Sequence, residues 1–132
     1  MKKITPILVV DRIEPSLDLW VHRLGFEKTV EVPEGDRLGF AILSRDSLEV
    51  MYQTRASIEK EIEKDGLPEG MRPPSSAGSV LYFEVDDLED IRKKVSGLDV
   101  LLPYRETFYG AKELWLREPG GHIIGFAQMG QG

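Results

Sequence analysis

The chain contains no cysteine, which excludes disulfides, thiolate catalysis and thiolate zinc sites and permits a cytoplasmic location. Histidine is scarce: His22 and His122 are the two present. Long apolar runs are missing as well. The longest, such as Ile7 to Val10, are strand-sized, so no segment is expected to span a bilayer as a helix. Met1-Lys2-Lys3 looks like the start of a signal peptide, but Asp11 and Arg12 break the apolar stretch that follows, and secretion is not expected. Positive charge is in deficit, with 17 basic against 23 acidic residues and a net charge of −6. That disfavours nucleic acid, whose binding rests on phosphate neutralisation. No Gly-x-Ser-x-Gly, no His beside a hydroxyl and no glycine-rich phosphate loop is found, which leaves no nucleophilic constellation.

What is present is an ordinary globular composition. The 132 residues, 41% apolar and 30% charged, suit a single compact domain and are too apolar for a disordered chain. Ile4 to Val10 reads as a strand. Pro15 suits a first helical turn, Leu17, Trp20, Val21 and Leu24 follow at helical spacing, and Gly25 supplies the stop. Glu27 to Val32, Arg37 to Leu43 and Ser47 to Gln53 read as three further strands, separated by turns at residues 33–36 and 45–46. A β-α-β-β-β unit therefore covers residues 4–54. The second half repeats it over 79–129: a strand from Val80 to Val85, a helix capped by Asp86-Asp87 and ended at Gly97, then strands at Leu98 to Leu102, Ala111 to Arg117 and His122 to Gln128. Leu8-Val9-Val10-Asp11 aligns with Phe83-Glu84-Val85-Asp86 at an offset of 75, and Leu48-Glu49-Val50 with Ile124-Gly125-Phe126 at 76, as a duplicated unit requires. Residues 55–78 read as the linker: a short polar helix over Ala56 to Lys64, then an irregular stretch from Leu67 to Gly78 rich in proline, glycine and serine. That stretch either covers a cleft or is disordered.

Three motifs in order carry a resemblance. Thr5-Pro6 with Ser16-Leu17-Asp18-Leu19-Trp20 and Leu24-Gly25-Phe26, then Tyr82-Phe83-Glu84-Val85-Asp86-Asp87-Leu88, then Glu118-Pro119-Gly120-Gly121-His122, resemble the vicinal oxygen chelate superfamily. That group includes glyoxalase I, extradiol dioxygenases, fosfomycin-resistance transferases and bleomycin-resistance proteins. The resemblance implies an α+β fold of two βαβββ modules whose curled mixed sheets enclose a central cleft. It also implies a divalent ion there, with ligand positions falling at Thr5, Glu49, Val80 and Gly125. Thr, Val and Gly are not adequate ligands, and one carboxylate cannot hold a catalytic metal. No metal, no cofactor and no catalytic residue are therefore expected, and bleomycin-resistance proteins are the branch that dispenses with the metal.

Strand alternation adds Ile7, Met51 and Tyr82 to the face carrying those four positions, while Leu8, Val10, Phe83 and Val85 pack under the helices. Trp115 stands three residues before Glu118, where the resemblance implies a cleft-facing aromatic. The candidate ligand-binding set is thus Thr5, Ile7, Glu49, Met51, Val80, Tyr82, Trp115 and Gly125. Such a face suits a flat or cationic organic molecule; alternatively it is filled by its own side chains or by a second subunit. Glu49 either receives a cationic group or acts as a base with a pKa raised by burial, or is a sheet carboxylate paired with a nearby Lys or Arg. Trp20 reads as core, His22 as solvated, and His122 as part of a turn. Phe108-Tyr109-Gly110 belongs either to a cleft mouth or to a dimer interface. The leading expectation is metal-independent binding of a small molecule by a homodimer. The alternatives are a metal-dependent lyase, isomerase or dioxygenase using a non-standard ligand set with Glu49, and a regulatory dimer with a filled cleft.

Overall fold

The computed structural model describes residues 1–74 and 78–130. Of the expected linker, residues 75–77 lie outside the described residues. The chain divides into two compact units, residues 1–77 and 78–132.

In the first unit, β1 (Ile7–Val10), α1 (Glu14–Leu17), β2 (Glu27–Glu34), β3 (Arg37–Arg45) and β4 (Leu48–Thr54) form an open four-stranded sheet in the order β1-β4-β3-β2. β1 and β4 are parallel; the other neighbours are antiparallel. One sheet face carries Leu8, Val10, Ala41, Leu43, Val50 and Tyr52, all buried with Ile13, Leu19, Trp20, Leu24 and Phe26. Trp20 donates its indole N–H to the Tyr52 hydroxyl at 2.8 Å and meets Phe26 edge-on at 5.1 Å. Trp20 is therefore core, and a core indole needs such an acceptor.

Two expectations change here. β1 begins at Ile7 rather than Ile4, whose side chain is solvent-exposed. The helix after Pro15 is not regular: residues Asp18–Arg23 are π-helical, with Leu24 N–H bonded to Leu19 C=O. The wider turn rotates the buried stripe, so Leu19 is fully buried while Leu17 and Val21 are half-buried. Gly25 ends the segment at φ +77°.

The connection begins as α2 (Arg55–Asp65), capped by the Thr54 hydroxyl on Ser57 N–H and closed by Gly66 in the left-handed region. A single 3-10 turn (Glu69–Met71) follows, and Arg72 pairs with Glu59 and Glu69.

The second unit repeats the topology. β5 (Val80–Glu84), α3 (Leu88–Lys94), β6 (Val100–Glu106), β7 (Lys112–Arg117) and β8 (Ile123–Gln128) build an open sheet in the order β5-β8-β7-β6, with β5 parallel to β8. Asp87 caps α3 by accepting from Asp90 N–H. Leu88, Val95, Leu114, Leu116, Ile124 and Phe126 form the buried side. β6 begins two residues later than expected and runs on to Glu106, with two register shifts against β7, between Val100 and Leu102 and between Leu102 and Arg105. Such bulges re-aim the side chains beyond them. His122 is buried in the Glu118–His122 turn, where its backbone N–H donates to the Glu118 carboxylate at 2.9 Å.

Candidate functional site

The helix-free faces of the two sheets carry the predicted residues. Ile7, Glu49 and Met51 belong to the first sheet, with Thr5 just before β1; Val80, Tyr82, Gly125 and Trp115 belong to the second.

On the first sheet, register places Ile7 beside Met51 and Met51 beside Ile42, with Val30 next in the row. Thr5 Oγ1 donates to Glu49 Oε1 at 3.1 Å, and Lys3 Nζ donates to the same oxygen at 3.0 Å. The Lys3 hydrogen bond is the main reason that the Glu49 carboxyl lies below its ordinary pKa, with burial opposing it and Thr5 adding to it. Of the alternatives open for Glu49, this speaks against a base with a pKa raised by burial. A base active at neutral pH needs a pKa near that pH, and Glu49 is instead the paired sheet carboxylate.

On the second sheet, Tyr82 pairs with Gly125 and Gly125 with Trp115. The Tyr82 and Trp115 rings lie 5.6 Å apart, tilted by 39°, and the Trp115 ring fills the space that a Gly125 side chain would occupy. Val80 stands beside Ile123, one row removed from Gly125. Setting Ile7–Met51 against Tyr82–Gly125 gives offsets of 75 and then 74, so the letter match at 76 is slipped by two residues, which preserves the face.

Two of these residues converge on a carboxylate absent from the expected set. Glu113 is 1% exposed. Its Oε1 accepts from Arg105 Nε at 2.9 Å and Trp115 Nε1 at 3.0 Å. Its Oε2 accepts from the Tyr109 hydroxyl at 3.1 Å and from the Tyr82 hydroxyl. Burial alone would raise the pKa of this carboxyl, but the four donors outweigh it and bring it down to about 2. Burial and the Glu113 charge push the Tyr82 phenol up. Of the aromatic loop, Tyr109 thus joins the cluster while Phe108 is fully exposed. His22 is exposed beside Asp18, at 3.6 Å.

A divalent ion of the kind the resemblance implies does not fit these residues. A Cβ at Gly125 would lie 2.6 Å from the Trp115 ring, Val80 and Ile123 offer no donor atom, and Glu49 is engaged by Lys3. Among the described residues, no three His, Asp or Glu side chains are placed to hold a metal.

No protein-family model matches the sequence, and no curated protein matches it either. Solved structures do match, along almost the whole chain. The fold is the one seen in solved structures described as glyoxalase/bleomycin resistance protein/dioxygenase. A lactoylglutathione lyase from Agrobacterium tumefaciens is 13% identical with a TM-score of 0.76, over 97% of this chain and 94% of that one. TioX from Micromonospora sp. ML1 is 17% identical with a TM-score of 0.73, over 97% and 98%. A bleomycin resistance determinant encoded on the transposon Tn5 is 17% identical with a TM-score of 0.66, over 99% and 100%. At these identities the likeness establishes the fold and leaves the activity to the residues.

Proposed function

We propose that this protein binds a small, flat organic molecule on the aromatic face of its second sheet, without a metal, and sequesters it rather than transforming it. The observation that carries this reading is the Tyr82–Trp115 pair flanking Gly125 on the helix-free face. Two rings whose orientation is fixed through their polar atoms form a preorganised stacking surface, and preorganisation lowers the entropic cost of binding. Val80, Tyr82 and Leu102 are exposed along the same face, which supplies apolar area. The neighbours in fold include a bleomycin resistance determinant, which is consistent with sequestration.

Catalysis by the carboxylates has little support. Glu113 has a lowered pKa and four donors, and Glu49 is held ionised by Lys3, so neither is poised to exchange a proton near neutral pH. A second copy of the chain covers part of the exposed sheet area in this reading, giving a homodimer.

The test is calorimetric titration of chelator-treated protein with a panel of planar aromatic compounds of either charge. Saturable binding that Trp115→Ala abolishes is expected. A flat trace across the panel, or binding that requires an added divalent ion, would overturn the reading.

A further inference from the structure

Accepting the second sheet as the binding face, we infer that its ligand presents a hydrogen-bond acceptor, a carbonyl or carboxylate, to Arg105, and is not a cation. A buried carboxylate beside aromatic rings would ordinarily be read as a receptor for positive charge. Here that carboxylate is spent. A carboxylate accepts about four hydrogen bonds, and Glu113 receives four, two on each oxygen, from Arg105, Trp115, Tyr82 and Tyr109. Its charge is matched by Arg105, and its side chain is 1% exposed against 53% for Arg105. An incoming cation would have to displace a donor already in place.

Arg105 is in the opposite condition. Its guanidinium gives Nε to Glu113, and among the described residues its two terminal nitrogens have no partner. A guanidinium anchored through Nε keeps its outer edge planar, charged and ready to bind an acceptor in two-point fashion. The two register shifts in β6 bring Arg105 opposite Glu113, beside the Trp115 row. On the first sheet Lys3 and Thr5 both donate to Glu49 Oε1, and the Lys3 ammonium already pairs with its charge. Glu84 shares the face of Tyr82 but stands on β5, with β8 between it and the Glu113 strand.

The experiment compares three probes with one ring system: 2-naphthoate, 2-naphthamide and 2-naphthylmethylammonium, titrated calorimetrically into the full-length protein at low ionic strength. Naphthoate and naphthamide are expected to bind at least about tenfold more tightly than the ammonium, the scale of one hydrogen bond to a charged group. Arg105→Met should erase that difference. Because this variant leaves Glu113 without its counter-charge, Arg105→Lys serves as the second variant: it keeps the positive charge but loses the planar edge. Naphthoate affinity should fall in Arg105→Lys while the Trp115 indole N–H resonance shows the ring still bonded to Glu113. Equal or tighter binding of the ammonium, reduced by Glu84→Gln, would overturn the inference and leave the binding reading intact. Failure of all three probes to bind would overturn the binding reading, and the inference with it.

Discussion

Position 125 requires a hydrogen atom in place of a side chain. A methyl group there would stand 2.6, 2.7 and 2.8 Å from three carbons of the Trp115 ring, closer than van der Waals contact allows. The ring is only half-buried, so it has room to swing outward. Gly125→Ala should therefore fold, at an overpacking cost of ~1–3 kcal/mol, with Trp115 rotated away from Tyr82. Near-ultraviolet circular dichroism reads that rotation directly, and an unchanged aromatic band would disprove the contact. Glu113 makes a second prediction at this scale. Its pKa falls from the ordinary 4.5 to about 2 in the folded chain, so the folded state holds fewer protons than the unfolded one between those values. The stability it contributes is complete above the unfolded pKa and is lost as the pH falls towards 2. Urea midpoints measured near neutrality and near pH ~3 should fall with acid in the wild type and fall less steeply in Glu113→Gln. The same variant should be ~1–3 kcal/mol less stable near neutrality, because its donors lose a charged acceptor. Part of this cluster was legible beforehand: Glu113 lies two residues before Trp115, and alternation puts both on one face. Arg105 was not, because two register shifts set its place: Pro103 hints at the second, between Leu102 and Arg105, and nothing marks the first.

At the scale of elements, the strands and helix ends could be read because their causes are local. Asp87 caps α3 as its position before Leu88 implies, and Gly25 and Gly97 both take the positive φ expected at a stop. The π-helical turn could not be read, since its cause is tertiary. Regular spacing favours a stripe of Leu17, Trp20, Val21 and Leu24. Burial of Leu19, and the bond from Trp20 to Tyr52 on β4, accompany the wider turn instead. Thr54 shows the same dependence on context: it ends a buried strand and caps the following helix with one hydroxyl, 3.1 Å from Ser57 N–H. Thr54→Ala and Asp87→Ala should each cost ~1 kcal/mol, measured by urea unfolding, and Thr54→Ser should restore most of the first loss. If Thr54→Ser were as unstable as Thr54→Ala, the methyl rather than the hydroxyl would be the important group.

At the scale of the whole molecule, duplication leaves each unit with a sheet covered by helices on one face only. On the first sheet Ile7, Val30 and Val32 are exposed, and on the second Val80, Leu101, Leu102 and Tyr104. An antiparallel or mixed sheet usually turns polar residues to water on its open face; contiguous apolar patches on a soluble chain mark contact surfaces. The doubled topology was readable from the repeat in element order, but the partner of these faces was not, because the same apolar alternation serves a ligand, a second subunit or a filled cleft. Self-association separates them. In the homodimer reading, light scattering should report twice the chain mass at micromolar concentration, and Val32→Lys combined with Leu101→Lys should return it to one. Ligand binding gives a further constraint, since any molecule that binds the dimer and the monomer with different affinity must shift the association constant, by the square of the per-site ratio when both chains are filled. Titrating naphthoate at a concentration where monomer and dimer coexist should therefore change their ratio if the dimer face and the Trp115 face are coupled. An unchanged ratio at saturating naphthoate would show that dimerisation and ligand binding are independent.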